Sequence, residues 1–251
     1  MSGPGIAASV LLALAALAGA QEIPPGTALP ITLNSTLDVR RVVPGQSINA
    51  SIAQNVPLPS GAKIRSGSHL YGQVLQAATN PDGSSYLRIR FERIRAKHGG
   101  DIPVSTSLRA LAAMGAVREA QLPNHTPYRG ETPANWTTEQ VGGDVVYRGG
   151  GHVMSGGTVV GDPVPDGVLA ELTPVPESGC RTGSGGRRLA LWVFSSSACG
   201  VYGLLEDLVI AHAGDTNPVG EIVLQSRKNI QVRAGSGLLL LTTGVGADQG
   251  R

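Results

Sequence analysis

Five histidines (His69, His98, His125, His152 and His212) and two cysteines (Cys180 and Cys199) have the widest chemical range in this chain. No two histidines have the spacing of a metal motif, and no cysteine or carboxylate cluster completes one. The sequence therefore predicts neither a metal site nor a cofactor. Asp215-Thr216-Asn217 carries Asn where a catalytic Asp-Thr-Gly triplet needs Gly. Glu206 and Asp207 are adjacent, so on a strand they would point to opposite faces, which disfavours an acid/base pair. Cys199 with His212 makes a thiol dyad only if Cys199 is free. Gly183-Ser184-Gly185-Gly186 lacks the Lys of a phosphate loop and reads as a flexible linker. No catalytic residue is expected from these patterns. A hydrolase whose site is assembled from residues scattered in sequence is the enzymatic alternative. A concave pocket with converging carboxylates, or a Cys or Ser with a His, would distinguish it.

The remaining chemistry is basic. Arg88, Arg90, Arg93, Arg95 and Lys97 form the densest positive cluster. On a regular strand this cluster splits between two faces, which gives a plain solvated sheet face. The sharper reading is recognition of an anionic glycan or lipid headgroup by Tyr86, Arg88 and Arg90. Arg forks grip carboxylate and phosphate in pairs of hydrogen bonds, and Tyr offers a flat amphipathic contact. The net charge of +2 is too small to point to nucleic acid.

Residues 1–20 set the compartment. Ile6 to Ala18 is an unbroken small and apolar run, short for a bilayer span of about 20 residues. Ala18-Gly19-Ala20 then supplies a small-x-small cleavage pattern. A signal peptide with mature chain from Gln21 is expected, and no transmembrane segment after cleavage. Localisation is then periplasmic, outer-membrane-associated or extracellular. In that setting Cys180 and Cys199 are expected to pair, a bridge worth ~3 kcal/mol through the unfolded state. The four Asn-x-Ser/Thr sequons, at Asn34, Asn49, Asn124 and Asn135, matter only in a host that glycosylates them.

The elements that must position these groups are mostly strands. Glycine (35) and proline (17) are too frequent for many long helices, while 41% hydrophobic residues with 15% charged ones argue against disorder. Thr27 to Leu33 follows a Pro-Gly turn. In Gln46 to Ala53, Ile48, Ala50 and Ile52 alternate with polar residues. Asn80-Pro81-Asp82-Gly83 is a turn between two arms, His69 to Ala77 and Ser85 to Ile94. That hairpin places Leu87, Ile89 and Phe91 inward and Tyr86, Arg88, Arg90 and Glu92 outward. Ser105 to Ala120 reads as a helix, capped by Ser105, Thr106 or Ser107 with Leu108, Leu111, Ala112 and Val117 at helical spacing. Residues 121–140 are Pro-rich and read as a linker. Short strands follow: Asp144 to Tyr147, Thr158 to Val160, Leu189 to Phe194, Val201 to Ile210, Glu221 to Gln225, Asn229 to Val232 and Leu238 to Thr243. Leu238 to Leu241 is apolar at consecutive positions, the mark of burial on both faces.

Residues 23–104 carry a further pattern: IPPGTALPITLNSTLDVRRVVPGQSINASIAQNV, then LPSGAKIRSGSHLYGQV, then SSYLRIRFERI. The Pro-x-Gly-Thr opening, the Pro-Gly before a strand and the second Pro-x-Gly before Gly67-Ser68-x-Leu70-x-Gly72 resemble the β-barrel segment of TrbI-like conjugal transfer proteins. The resemblance implies a barrel-like domain in a bacterial envelope, as part of a type IV secretion or conjugation-like assembly. The C-terminal half, with DVVYRGGGHV and ALWVFSSSACGVYG, is similar to uncharacterised secreted bacterial proteins.

The expectation is a mainly β chain of barrel-like or sandwich units with one short helix and a disulfide. Its parts are a signal peptide (1–20), a barrel-like unit (21–104), a helix and Pro-rich linker (105–140) and a C-terminal β-unit (141–251). The function expected is non-enzymatic binding of an envelope protein or an anionic envelope polymer.

Overall fold

A computed structural model describes residues 23–97, 99–122, 137–142, 145–147, 153–155, 158–161, 163–164, 167–168, 190–195, 198–211 and 220–243. Its centre is a ten-stranded sheet that curls into a nearly closed barrel. The strands are β1 (Ala28–Leu33), β2 (Ser47–Ile52), β3 (His69–Thr79), β4 (Ser85–Arg95), β5 (Asp101–Pro103), β6 (Ser105–Ala112), β7 (Gly200–Tyr202), β8 (Val209–Ala211), β9 (Ile222–Ser226) and β10 (Gly237–Thr243). They pair in the order β7-β6-β10-β1-β2-β3-β4-β9-β8, with β5 on β4 beyond β9. All pairs are antiparallel except β6 with β7. The end strands β7 and β8 come together through a short link, in which Gly203 takes a positive φ of 66°.

Alternation builds the interior. Ile48, Ala50 and Ile52 on β2, and Leu87, Ile89 and Phe91 on β4, are each at most 1% exposed. They pack with Leu29, Ile31, Leu70, Val74, Leu108, Leu111, Leu238 and Leu240 in one core. Each fully buried aliphatic side chain stabilises by about 1.5–3 kcal/mol. The hairpin of β3 and β4 pairs around Asn80–Gly83 as its turn chemistry dictates: Gly83 has a φ of 85°, and the Asp82 carboxylate accepts bonds from the Ser84 amide and hydroxyl.

A second core lies on the other face of β1, β6 and β10. It holds Ala28, Ala110, Ala112, Leu239 and Leu241, covered by Val117, Val141, Val193, Phe194 and Ala198. Leu238 to Leu241 is thus buried on both faces, as its unbroken apolar run requires. Two coats on one strand set explain the largest departure from the sequence reading. Ser105–Ala112 is a strand, not the first half of a helix; among the described residues the helix is Met114–Glu119. Leu108 and Leu111 are three apart because a register shift opposite Leu239/Leu240 inserts Arg109 as an extra residue. That bulge mimics helical spacing.

Other differences follow from turns. In place of one strand from Leu189 to Phe194, Ala190–Leu191 pairs with Phe194–Ser195 in a tight hairpin, and Trp192 at its turn has a φ of 55°. Val201 to Ile210 is broken into β7 and β8 by Gly203 and the turn at Glu206-Asp207. The boundaries at 104 and 141 also fall inside one sheet. β10 fills the place between β6 and β1, and β9 pairs with β4, so the barrel is completed by C-terminal strands. Residues 1–22 and most of the Pro-rich segment lie outside the described residues, as does Cys180.

Candidate functional site

Among the described residues, the second core covers β1, β6 and β10 and does not extend over the outer face of β3 and β4. Along β4, Tyr86, Arg88 and Arg90 alternate with the buried Leu87, Ile89 and Phe91, so all three are on the outer face. Tyr86 stands opposite Ala78 and Gln225, and Val209, 56% exposed, continues the row. Arg88 Nη1 lies 3.4 Å from Glu221 Oε2. Arg88 Nε is buried with no hydrogen-bond partner among the described residues. Arg90 donates through Nε and Nη2 to Glu92 Oε1 at 3.1 and 3.0 Å, and Gln73 Nε2 donates to the same oxygen at 2.6 Å.

Regular alternation would turn Arg93 and Arg95 inward. The structure does the opposite. Tyr71 pairs with Arg93, but its neighbour Gly72 pairs with Phe91, so Glu92 is an extra residue in β4. The bulge shifts the parity of everything beyond it. Ile94 becomes the inward residue, and Arg93 and Arg95 join Arg88 and Arg90 outside. A second shift, between Val74 and Gln76, places an extra residue in β3 and restores the register. Gly72 permits the close crossing: a methyl there would land on the Arg90 carbonyl oxygen and lie 2.8 Å from Phe91 Cα.

Arg93 and Arg95 flank a carboxylate and a ring. Arg93 Nη1 donates to Asp101 Oδ2 at 2.7 Å, and Arg95 donates through Nε and Nη2 to Oδ1 and Oδ2 at 2.9 and 3.3 Å. Hydrogen bonds from Arg95 hold the Asp101 carboxyl below its ordinary range. The two guanidiniums sit 5.0 and 5.6 Å from the Tyr71 ring centroid, within cation–π range. His69 is a further neighbour of that ring, at 6.2 Å between centroids. The face thus carries four arginines against Glu92, Asp101 and Glu221, and its chemistry is recognition of planar anions. Tyr71 and Asp101 are not sequence candidates; Arg93 and Arg95 belong to the basic cluster, but regular alternation sets them on the face opposite Tyr86, Arg88 and Arg90. Their signal is the step of three between Phe91 and Ile94 in an otherwise two-residue apolar rhythm.

The other sequence candidates resolve as follows. Asp207 accepts from Ser226 Oγ at 3.0 Å and from the Arg227 amide at 2.6 Å. Burial raises its pKa, but these bonds outweigh it and the net shift is downward. Glu206 beside it is exposed. Cys199 is not a free thiol, and its expected partner Cys180 lies outside the described residues. So do His98, His125, His152, His212, Gly183–Gly186 and Asp215–Asn217. Among the described residues no cluster of His, Cys, Asp and Glu could hold a metal. No helix among them is long and apolar enough to cross a membrane. A scan against protein-family models finds no match, and a search of curated proteins finds none either.

Proposed function

We propose that this chain is an exported, non-enzymatic envelope protein that binds an anionic envelope polymer through the outer face of β3 and β4. The observation that carries the reading is the gathering of four arginines with Tyr71 and Tyr86 on one outer sheet face. A rigid barrel holds that array at fixed spacing, and the exposed ion pairs within it are weak contacts of about 0–1 kcal/mol. A polymer with repeated anionic groups can exchange for Glu92 or Glu221 at little cost and engage several arginines together.

The test uses mature chain and washed cell-envelope fractions. Arg88→Ala with Arg90→Ala should weaken retention and leave the thermal midpoint within about 1–2 °C, since surface changes cost at most about 0.5 kcal/mol. Unchanged retention removes this surface. The similarity of residues 23–104 to conjugal-transfer barrels favours a second reading, a place in a protein assembly of the envelope. Protease treatment of the envelope fraction separates the two, because it abolishes retention by a protein partner and spares a polymer. Export itself is read from intact mass: the native product begins at Gln21, and a product retaining Met1 to Ala20 refutes it.

A further inference from the structure

Asp101 begins β5, a three-residue strand at the free side of β4. Register places it directly opposite Arg95, with Arg93 opposite Pro103. Its two carboxylate oxygens receive three hydrogen bonds from the two guanidiniums. The two guanidiniums are held in turn over one ring, that of Tyr71. The result is a preset double fork already filled by a planar carboxylate. The filled fork is open to water: the side chains of Arg93, Arg95 and Asp101 are 47%, 54% and 36% exposed. Ion pairs this exposed are weak and screened by salt. An incoming carboxylate therefore meets a competitor that is easily displaced.

We propose that Tyr71, Arg93 and Arg95 form a carboxylate-binding station that Asp101 occupies in cis, and that its ligand is a uronate-bearing polysaccharide. The proposal rests on the anionic-polymer reading above and names the chemistry of its ligand. Arg95 presents Nε and Nη2 side by side, a geometry matched to the two oxygens of a planar carboxylate. Arg90 stands opposite Gln73 and Arg95 opposite His69, four strand positions apart once the extra residue Glu92 is discounted, which is about 14 Å. A polymer with repeated carboxylates can reach Arg90 and the Arg93–Arg95 fork at once. A carboxylate linked to one already held at Arg90 exchanges for Asp101 intramolecularly, an advantage that a free small anion lacks. Asp101 lowers the affinity of the free surface and guards the arginines against single small anions.

The experiment measures binding of the mature chain to polygalacturonate at low salt, with polyphosphate as the comparison anion. Asp101→Asn removes the competing charge while keeping the side chain's shape. It should bind polygalacturonate about two- to fivefold tighter than the natural chain, the factor that loss of one weak exposed pair allows. Arg93→Ala with Arg95→Ala should bind more weakly. Glu119→Gln, which removes the same charge on the helix, should bind as the natural chain does. Thermal midpoints verify that all variants fold. Equal or weaker binding by Asp101→Asn, or no binding by any form, overturns the proposal, and stronger binding of polyphosphate overturns its carboxylate specificity. If Arg88→Ala with Arg90→Ala loses envelope retention while Asp101→Asn changes nothing, the surface reading stands and this station falls. Unchanged retention of the Arg88 and Arg90 variant removes the surface reading instead.

Discussion

Gly72→Ala probes the feature on which the whole arginine face depends. The added methyl would collide with the Arg90 carbonyl oxygen and lie 2.8 Å from Phe91 Cα and 2.9 Å from the Arg90 carbonyl carbon. All three are backbone atoms, so no side chain can swing aside. The strands must separate at the bulge, and overpacking of this kind costs about 1–3 kcal/mol. Replacing glycine also restricts the unfolded chain, which returns about 0.4–1 kcal/mol. A net loss of about 1–2 kcal/mol should remain, or about 2–8 °C in thermal midpoint for a chain of this size. Gly115→Ala is the matched control. Its methyl meets nothing within 4 Å, and glycine inside a helix costs up to ~1 kcal/mol relative to alanine, so that variant should gain stability. Urea unfolding of the three proteins under one condition decides the matter. If Gly72→Ala is as stable as the natural chain, the close crossing is absent. Glu92 is then not the extra residue, and Arg93 and Arg95 lose their place beside Arg88 and Arg90.

Three further outcomes are expected. Arg109, 2% exposed, donates from Nε to the Ala198 carbonyl at 3.0 Å; Arg109→Ala empties a buried site and leaves that carbonyl without this donor, so it should lower the urea midpoint, and a midpoint within error of the natural chain would contradict that packing. Thiol labelling of the unfolded, unreduced mature chain should find no free cysteine, whereas two labelled thiols reject the Cys180–Cys199 bridge. A hydrogen bond from Asn229 and the Arg40 amide, with Arg41 nearby, hold the Asp38 carboxyl below its ordinary range against the opposing effect of burial. Its folded pKa is thus below its unfolded one, so its stabilisation is complete above about pH 4 and drains away as pH falls through the folded value. Asp38→Asn should flatten the fall in urea midpoint between about pH 4 and pH 2.5; an unchanged acid limb would remove Asp38 from the account.

Local sequence determines a good deal of this protein. Ile48-x-Ala50-x-Ile52 and Leu87-x-Ile89-x-Phe91 alternate with polar residues, so each specifies a strand and its inward face without reference to anything distant. Asn80-Pro81-Asp82-Gly83 specifies the hairpin between β3 and β4, because Gly83 must adopt a positive φ and Asp82 must satisfy the following amide. The outward positions of Tyr86, Arg88 and Arg90 follow from the same period of two. The four leucines of β10 announce burial on both faces.

What only the tertiary structure decides is where the period breaks and what lies on the far side of a strand. The step of three from Phe91 to Ile94 is visible in the sequence, but it becomes a bulge only because Tyr71-Gly72 on the partner strand can close against it. Without that partner the cluster of arginines divides between two faces. The step from Leu108 to Leu111 is the same kind of skip, and it reads as helical until β10 supplies the opposing Leu239 and Leu240. A spacing of three or four is common to a helix turn and a bulged strand, so periodicity alone cannot separate them. Which strand becomes a strand's neighbour is likewise a matter of long-range closure. β10 pairs with β1 across most of the chain's length, and it thereby makes one barrel of two segments that composition divides.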